Sequence, residues 1–208
     1  MKIKKLLFAS ALLFSAYNAS AQTQVIAHRG FWKTEGSAQN SIAALLKADS
    51  IGCYGSEFDV WLAADDQLVV NHDPTFKGKR MENSPSTALT AIKLDNGESL
   101  PTLAKYLKAA QPLHTRLILE LKAHSTPLRE TKAIEKIVAL VKDMGLEERM
   151  EYITFSLHAT KEFIRLAPKG TPVYYLDGNL SPKELKELGC AGPDYHYTCL
   201  LYTSPSPR

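Results

Sequence analysis

The sequence has little net charge and no glycine-rich nucleotide-binding loop. Its 25 basic and 22 acidic side chains leave a formal charge of only +3. Three lysines among the first five residues account for that excess, so the rest of the chain is neutral overall. The basic surface typical of nucleic-acid binding is not indicated, and no nucleic-acid partner is expected. Neither common type of glycine-rich phosphate loop occurs, which excludes those two modes of nucleotide binding.

Long apolar runs are also lacking, apart from a short one near the start. Basic residues precede a mostly apolar stretch over residues 6–13, and a small-residue cleavage pattern ends at Ala21. This pattern predicts a signal peptide over residues 1–21 and an exported protein, periplasmic or secreted. The alternative is a buried N-terminal helix. The stretch is too short to span a bilayer and no later one is long enough, so stable membrane insertion is not expected.

Cysteine is scarce, and one of the three lies in an unusual C-terminal string. Residues 199–208, which begin with Cys199, resemble the translation of a sequencing-library adapter. We therefore expect this string to be a non-native tail on a gene cut near Thr198, the alternative being a flexible tail rich in Ser and Pro. Cys53 and Cys190 would then remain. In an exported chain they could pair, but sequence alone does not show whether they approach.

Strand-like and helix-like segments alternate through residues 22–198, which we assign to one domain. The strand-like segments are apolar without alternation, a pattern typical of a parallel sheet covered by helices. We count seven strands, the last of them within residues 194–198. A (β/α)₈ barrel of the TIM type takes about 250 residues, more than remain after the signal peptide. The sequence therefore predicts an α/β fold, a TIM-type barrel truncated after strand 7.

An open, doubly wound sheet is the alternative fold, in which ligand groups gather at a single crevice where the strand order reverses. Here polar residues follow strands one to four in succession, which a closed barrel brings to one rim. The polar stretch after the third of these strands, residues 74–99, is expected to run over the surface at that end.

Three carboxylates follow or lie within these strands. Glu57 and Asp59 are two residues apart on an apolar strand, so their side chains point the same way. They could be two exposed groups on an edge strand, but like charges side by side favour a divalent counter-ion. Glu120 and Lys122 alone would indicate a strand-end ion pair; on the same rim, Glu120 becomes a third oxygen ligand. Oxygen ligands favour one Ca²⁺ or Mg²⁺ over zinc.

Two histidines and two cations complete the rim. His28 and His72 each follow a strand, and together they form a candidate acid/base couple near neutral pH. Arg29 offers a planar fork and Lys122 a point charge for phosphate. Asp73 could orient His72 or cap a turn. The remaining four histidines lack such neighbours and are left as unassigned, mostly surface residues.

Taken together, four motifs resemble the glycerophosphodiester phosphodiesterases over Val25 to about Thr198: His28-Arg29-Gly30, Glu57-x-Asp59, His72-Asp73 and Glu120-x-Lys122. The resemblance implies a TIM-type barrel, one calcium or magnesium ion, and hydrolysis of a small-molecule glycerophosphodiester to glycerol phosphate and an alcohol. By position, Glu57, Asp59 and Glu120 match the metal ligands. His28 and His72 match the catalytic pair, and Arg29 and Lys122 the phosphate-binding cations.

The chain departs from the family pattern in two places. Where the family usually has Glu-Asn-Thr, this sequence has Gln39-Asn40-Ser41, which removes a charge near the site. The final strand, which in the family adds an aromatic residue to the substrate pocket, is not found. A barrel without it exposes two strand edges, so we expect the chain as written to be marginally stable or inactive.

Two other functions share these residues. A lyase of the phospholipase D or sphingomyelinase type, which forms a cyclic phosphate, uses the same histidines and carboxylates, but needs an apolar approach to a lipid surface. A catalytically impaired binding protein of the same fold would be consistent with Gln39, but not with the retention of both histidines.

Overall fold

The computed structural model describes residues 23–195. The predicted signal peptide over residues 1–21 and the predicted tail over residues 199–208 lie outside the described residues, as does the end of the predicted seventh strand. The strands are β1 (Ile26–Ala27), β2 (Gly55–Leu62), β3 (Leu68–Val70), β4 (Thr75–Phe76), β5 (Lys79–Arg80), β6 (Arg116–Leu121), β7 (Met150–Thr154), β8 (Val173–Tyr175) and β9 (Gly192–Pro193). The α-helices are α1 (Ile42–Ser50), α2 (Ser86–Thr90), α3 (Leu103–Ala110), α4 (Pro127–Asp143), α5 (Leu157–Leu166) and α6 (Pro182–Leu188), with 3₁₀ turns at Met81–Asn83 and Glu147–Arg149.

One main sheet organises the fold. Its strands are ordered β1-β2-β6-β7-β8-β9, and each neighbouring pair in that order is parallel. Helices connect the successive parallel strands, as in a TIM-type barrel. Within residues 23–195 the sheet is an open part of such a barrel, because β1 and β9 each pair on one side only.

The third strand corrects the sequence prediction in one respect. β3 pairs antiparallel with β2, so it forms a hairpin and is not one of the parallel strands. The apolar pattern of Leu68–Val70 does not by itself fix the direction of the strand. The short Asp65-Asp66 connection does, because it is long enough only for a hairpin. The main sheet has seven strands, as predicted, but six of them are parallel. Its last strand, β9, precedes the predicted segment: residues 194 and 195 are not in a strand, and residues 196–198 lie outside the described part of the chain.

β1 and β3 lie along the same edge of β2 and run towards each other. Ala27 pairs with Ser56, whereas Val70 pairs with Val60. The segments that follow these two strands therefore meet beside the middle of β2. The amide of Gly30 donates to the Glu57 carbonyl, and that of Asn71 donates to the Asp59 carbonyl.

The two faces of the sheet have different contents. The main hydrophobic core lies between one face and the helices, with alternate residues of β2 and β6 such as Phe58, Val60 and Leu119 fully buried there. Because strand side chains alternate, the intervening residues point to the opposite, inner face. These include Glu57, Asp59 and Glu120, so the pleat places the polar groups on the face that the helices do not cover.

A second hydrophobic cluster lies beneath the predicted surface excursion over residues 74–99. Met81 and Leu89 are fully buried in it, against Val69 of β3. Apolar residues spaced singly in a polar sequence give no periodic signal, which is why the sequence did not indicate this small core.

No helix within residues 23–195 is long and apolar enough to cross a membrane. Cys53 and Cys190 are both free thiols.

Candidate active site

The strand register brings three carboxylates together. Asp59 of β2 pairs directly with Glu120 of β6, and Glu57 lies two residues earlier on the same face. All three are buried, and one carboxylate oxygen from each lies within 4.8 Å of the others. The sequence predicted the two-residue spacing, but the pairing of Asp59 with Glu120 depends on a register that only the structure defines.

Lys122 is the cation closest to this cluster. Its Nζ lies 2.7 Å from Glu120 Oε1 and 3.3 Å from Asp59 Oδ1. The contact with Glu120 is an ion pair without hydrogen-bond alignment, since Glu120 Oε1 has no hydrogen-bond partner. One lysine against three carboxylates leaves an excess of negative charge in a buried place.

The pKa values reflect this imbalance. Burial, followed by repulsion from Asp59, raises the pKa of Glu57 well above its usual range. Burial also raises the pKa of Glu120, although Lys122 opposes the shift. For Lys122, burial lowers the pKa, but attraction by Asp59 and Glu120 outweighs it and the net shift is upward. The site therefore lacks positive charge, which a divalent cation would supply.

The oxygens themselves fit such a cation. Glu57 Oε1 is buried and has no hydrogen-bond partner, while Glu57 Oε2 accepts the Arg29 backbone N–H at 2.6 Å. A buried carboxylate oxygen without a partner is unfavourable unless a ligand satisfies it. Carboxylate oxygens are the donors that Ca²⁺ and Mg²⁺ prefer, so these residues could hold either ion.

Asn40 was not predicted as a site residue, yet it holds Asp59 in place. Its side-chain amide donates to Asp59 Oδ2 at 2.8 Å, and its carbonyl oxygen accepts the Asp59 N–H at 3.2 Å. Asn40 has a φ of 59°, a left-handed conformation that Asn tolerates better than most residues. The next residue, Ser41, caps helix α1 by accepting the Ala44 N–H. Asn40 therefore supports Asp59, while Ser41 caps the helix.

The segment after β1 carries His28 and Arg29. His28 Nε2 lies 3.9 Å from Glu57 Oε2, and its side chain is 67% exposed, so solvent and ligands can reach it. Burial of the rest of the ring, followed by repulsion from Arg29, lowers the pKa of His28. Gly30 follows with a φ of 75°, and a Cβ there would lie 2.7 Å from the Ala44 Cβ. Only glycine fits this turn against helix α1.

Gln39 contacts Arg29 and none of the three carboxylates. Its Oε1 accepts a hydrogen bond of 2.6 Å from Arg29 Nη1. The replacement of the family's Glu by Gln39 therefore changes how the Arg29 guanidinium is held. Arg29 Nε is buried without a partner.

His72 lies on the opposite side of β2 from Glu120, at the end of the hairpin. Its Nδ1 is 2.7 Å from Asp73 Oδ1. Since a carboxylate only accepts hydrogen bonds, this contact orients the ring and places the proton on Nδ1. Of the two roles that the sequence left open for Asp73, the structure supports orientation of His72.

His124 differs from the expectation of an unassigned surface residue. Its ring is partly buried, Nε2 accepts the Leu62 N–H at 2.9 Å, and Nδ1 donates to the Lys122 carbonyl at 2.6 Å. Burial lowers the pKa of His124, in agreement with this neutral pattern. The ring joins β2 to β6 just beyond their last registered pair, next to Lys122. A histidine two residues after Lys122 gave no periodic signal by which sequence could have found it.

The fold and the site together define an α/β barrel-type protein with a buried acidic cluster suited to a divalent cation, flanked by histidines and by the cationic side chains of Arg29 and Lys122. The crystal structure of a glycerophosphodiester phosphodiesterase from Parabacteroides distasonis ATCC 8503 matches this chain with a TM-score of 0.84 and 55% identity, over 86% of this chain and 76% of that one. The chain therefore belongs to the glycerophosphodiester phosphodiesterase family.

Two further relatives are similar. A glycerophosphodiester phosphodiesterase from Caldanaerobacter subterraneus subsp. tengcongensis is 30% identical over 161 residues, which are 71% of this chain; the chain spans 64% of the length of that curated relative. A phosphodiesterase from Oleispira antarctica, solved in complex with the product sn-glycerol-3-phosphate, is 26% identical with a TM-score of 0.71, over 86% of this chain and 77% of that one. No family model matches the chain.

Proposed function

We propose that this protein is a metal-dependent glycerophosphodiester phosphodiesterase, which hydrolyses deacylated phospholipids to glycerol phosphate and an alcohol. The observation that carries the proposal is the buried cluster of Glu57, Asp59 and Glu120, in which Glu57 Oε1 has no hydrogen-bond partner and negative charge is in excess. The 55% identity to the Parabacteroides protein and the product bound to the Oleispira protein support the same substrate class.

Glu57, Asp59 and Glu120 are the residues that would hold the cation. We infer Ca²⁺ or Mg²⁺, because three carboxylates form an all-oxygen donor set. Such an ion supplies charge neutralisation of the phosphate oxygens and a fixed point for substrate orientation. Asn40 keeps Asp59 in the orientation that this role requires.

Arg29 and Lys122 hold the phosphoryl group in this function. The segments that carry them reach the cluster from opposite sides of β2, since Arg29 follows β1 and Lys122 follows β6. Gln39 limits the movement of the Arg29 guanidinium through one neutral hydrogen bond, which leaves the positive charge uncompensated by that residue. Fixed positive charge at a phosphoryl group stabilises the transition state through electrostatics.

His28 and His72 accept and donate the protons that hydrolysis transfers. The lowered pKa of His28 favours its neutral ring, the form that accepts a proton from the attacking nucleophile. We assign the acid role to His72 in its imidazolium form: Asp73 keeps one proton on Nδ1, and the proton on Nε2 is the one transferred to the departing alkoxide. The exposed position of His28 allows the nucleophile to enter from solvent.

We further propose that the protein is exported to the periplasm or the exterior. The support is the basic, apolar and small-residue pattern of residues 1–21. Mass spectrometry of protein recovered from a secreting host tests this: a mature N-terminus at Gln22 is expected, and retention of residues 1–21 would contradict it.

Product analysis tests the proposed activity. The chain is incubated with glycerophosphocholine, alongside a chimera in which the C-terminal segment of the Parabacteroides relative follows Tyr195. We expect sn-glycerol-3-phosphate and choline from at least one of them. His28→Ala and His72→Ala should each lower kcat by about 100-fold or more, whereas His114→Ala, an exposed histidine outside the site, should not. Absence of products from both proteins, or full activity of His28→Ala, would contradict the proposal.

A further inference from the structure

A cleft of about 260 Å³ opens beside the carboxylate cluster. Asn40 and His72 form the wall nearest the cluster, and the aromatic rings of Trp32 and Phe76 line other parts of it. Ligand pockets for larger organic molecules usually measure about 300–1,000 Å³. This cleft is therefore suited to a small group attached to the reacting phosphate rather than to a lipid chain.

Two different loops build the aromatic walls. Trp32 lies between β1 and α1. Phe76 ends β4, and the turn Lys77-Gly78 that follows has positive φ at both residues, 46° and 79°, as in a tight two-residue hairpin. Phe76 packs partly against the second hydrophobic cluster, which contains Leu94. One side of its ring therefore packs against this cluster, and the half-exposed remainder lines the cleft.

A lysine ammonium group already lies close to each of the two rings. Lys33 Nζ lies 5.3 Å from the centroid of Trp32, and Lys77 Nζ lies 5.3 Å from that of Phe76. These distances are typical of cation–π pairs. Lys33 is exposed, so a bound cation could replace its ammonium group over Trp32. The Lys77 ammonium also donates to the Lys93 carbonyl at 2.5 Å, which holds it beside the edge of the cleft.

Carboxylates complete the surroundings. Asp73 and Asp95 line the cleft together with Lys33; Asp73 also contacts His72, and Asp95 also pairs with Lys77. Asp95 is 3.7 Å from Lys77 Nζ and is 89% exposed, so its charge is accessible. Two aromatic faces together with two carboxylates recognise quaternary and primary ammonium groups.

We propose that this cleft is the subsite for the alcohol part of the substrate, and that it selects cationic alcohols such as choline and ethanolamine over neutral ones. This inference rests on the proposed function, because the alcohol departs from the same phosphate that the carboxylate cluster serves. Each cation–π contact favours a cationic alcohol by about fivefold, and two such contacts favour it by about tenfold or more.

The first test uses selectivity. We compare kcat/KM for glycerophosphocholine and for the neutral diester glycerophosphoglycerol, in whichever of the chain and the extended chimera turns substrate over. The expected ratio is about tenfold or more in favour of the choline diester. Trp32→Leu should reduce this ratio about fivefold, whereas Trp32→Phe, which keeps an aromatic face, should retain most of it. Phe155→Ala, at an exposed aromatic that does not line the cleft, should leave the ratio unchanged.

The second test needs no turnover. The chain has two tryptophans, Trp32 and the buried Trp61, so its indole N–H region in an NMR spectrum should contain two signals. Choline chloride should move the Trp32 signal saturably and leave the Trp61 signal in place, while glycerol at the same concentration should move neither. Lys33→Gln, which removes the competing ammonium, should strengthen the choline response.

The outcomes separate the two proposals. Turnover with equal kcat/KM for both diesters, or equal responses to choline and glycerol, would contradict the subsite and leave the proposed function intact. A choline response in a protein that hydrolyses no glycerophosphodiester would contradict the proposed function alone. A ratio lowered equally by Trp32→Leu and Trp32→Phe would contradict recognition by the aromatic face.

Discussion

Single side chains decide how well the acidic cluster is ordered, and Asn40 is the most direct case. Its amide contacts both the side chain and the main chain of Asp59, and its left-handed φ of 59° places it there. Asn40→Gly keeps the conformation accessible but removes the amide. Partners that orient a metal ligand are typically worth about 10- to 100-fold in metal affinity.

We therefore expect Asn40→Gly to weaken Ca²⁺ or Mg²⁺ binding by about 10- to 100-fold, as measured by isothermal titration calorimetry. Asp66→Gly provides a control, since Asp66 also has a φ of 59° but lies on an exposed turn away from the cluster. Unchanged affinity in Asn40→Gly would show that Asp59 needs no support from Asn40.

The raised pKa of Glu57 gives the metal-free protein a distinct pH dependence. Its folded-state pKa lies above that of the unfolded chain, so between the two values the folded protein retains a proton that the unfolded chain has lost. The contribution of Glu57 to the free energy of unfolding of the metal-free protein should therefore fall as pH rises from about 4.3 through the folded pKa. Metal affinity should rise over the same window, because the ion displaces protons.

Urea unfolding at pH 5 and pH 8, with chelator and with added Ca²⁺, measures this pH dependence of the free energy of unfolding. Glu57→Gln should remove most of the pH-dependent loss of stability and weaken the stabilisation by metal. Glu135→Gln, at an exposed position on α4, should behave as the parent protein. A change in stability between pH 5 and pH 8 that is the same in Glu57→Gln as in the parent protein, both metal-free, would contradict the assignment.

At the scale of elements, the inner face of the β2–β6 pair determines where the carboxylates can lie. Gly55 is on the same face as Glu57, and a Cβ at Gly55 would approach Ile118 Cδ1 to 2.5 Å. Gly55→Ala should therefore destabilise the protein by about 1–3 kcal/mol through overpacking. Ile118→Val removes the contacting methyl group, so the double variant should recover much of that loss in urea unfolding. Additive losses in the two variants would contradict direct contact between these positions.

The sequence could predict much at this scale, and its failures have physical causes. Apolar strands and the two-residue spacing of Glu57 and Asp59 follow from the pleat of a single strand, so they are visible in the sequence. The pairing of Asp59 with Glu120 depends on contacts between distant segments, whereas the antiparallel direction of β3 follows from its short connection to β2, which the apolar pattern alone does not indicate. His72 therefore reaches the site from an antiparallel hairpin, although the sequence indicated a parallel barrel strand.

The supporting residues were less visible than the charged ones. Asn40, Gln39 and His124 act through hydrogen bonds to Asp59, Arg29 and the Lys122 carbonyl, and polar residues in loops carry no periodic signal for such contacts. The signal that could have identified Asn40 is its place in the motif Gln39-Asn40-Ser41, in which Asn is the one residue shared with the Glu-Asn-Thr of the family pattern.

At the scale of the whole molecule, the two edge strands of the described sheet, β1 and β9, affect stability because each has an unpaired side. Within residues 23–195, β1 and β9 each pair on one side only, and Val25 and Ile26 beside the β1 edge are 60% and 47% exposed. Exposed strand edges promote association with other chains. Covering these two side chains alone would contribute roughly 1 kcal/mol each.

We therefore expect the chain as written to unfold at a lower urea concentration than the chimera extended after Tyr195, and to associate at higher protein concentration. Urea denaturation and analytical ultracentrifugation of both proteins measure this. A monomeric chain that unfolds cooperatively at the same midpoint as the chimera would show that the described strands need no further partner.

The central claim is that Glu57, Asp59 and Glu120 form one divalent-cation site on which phosphodiester hydrolysis depends. Turnover of glycerophosphocholine after complete removal of metal by a chelator, followed by stepwise addition of Ca²⁺ or Mg²⁺, tests it most directly. We predict no turnover in chelator, full recovery with one equivalent of bound cation per chain, and recovery only at much higher cation concentration in Glu120→Gln. Undiminished turnover in the presence of chelator would contradict the claim.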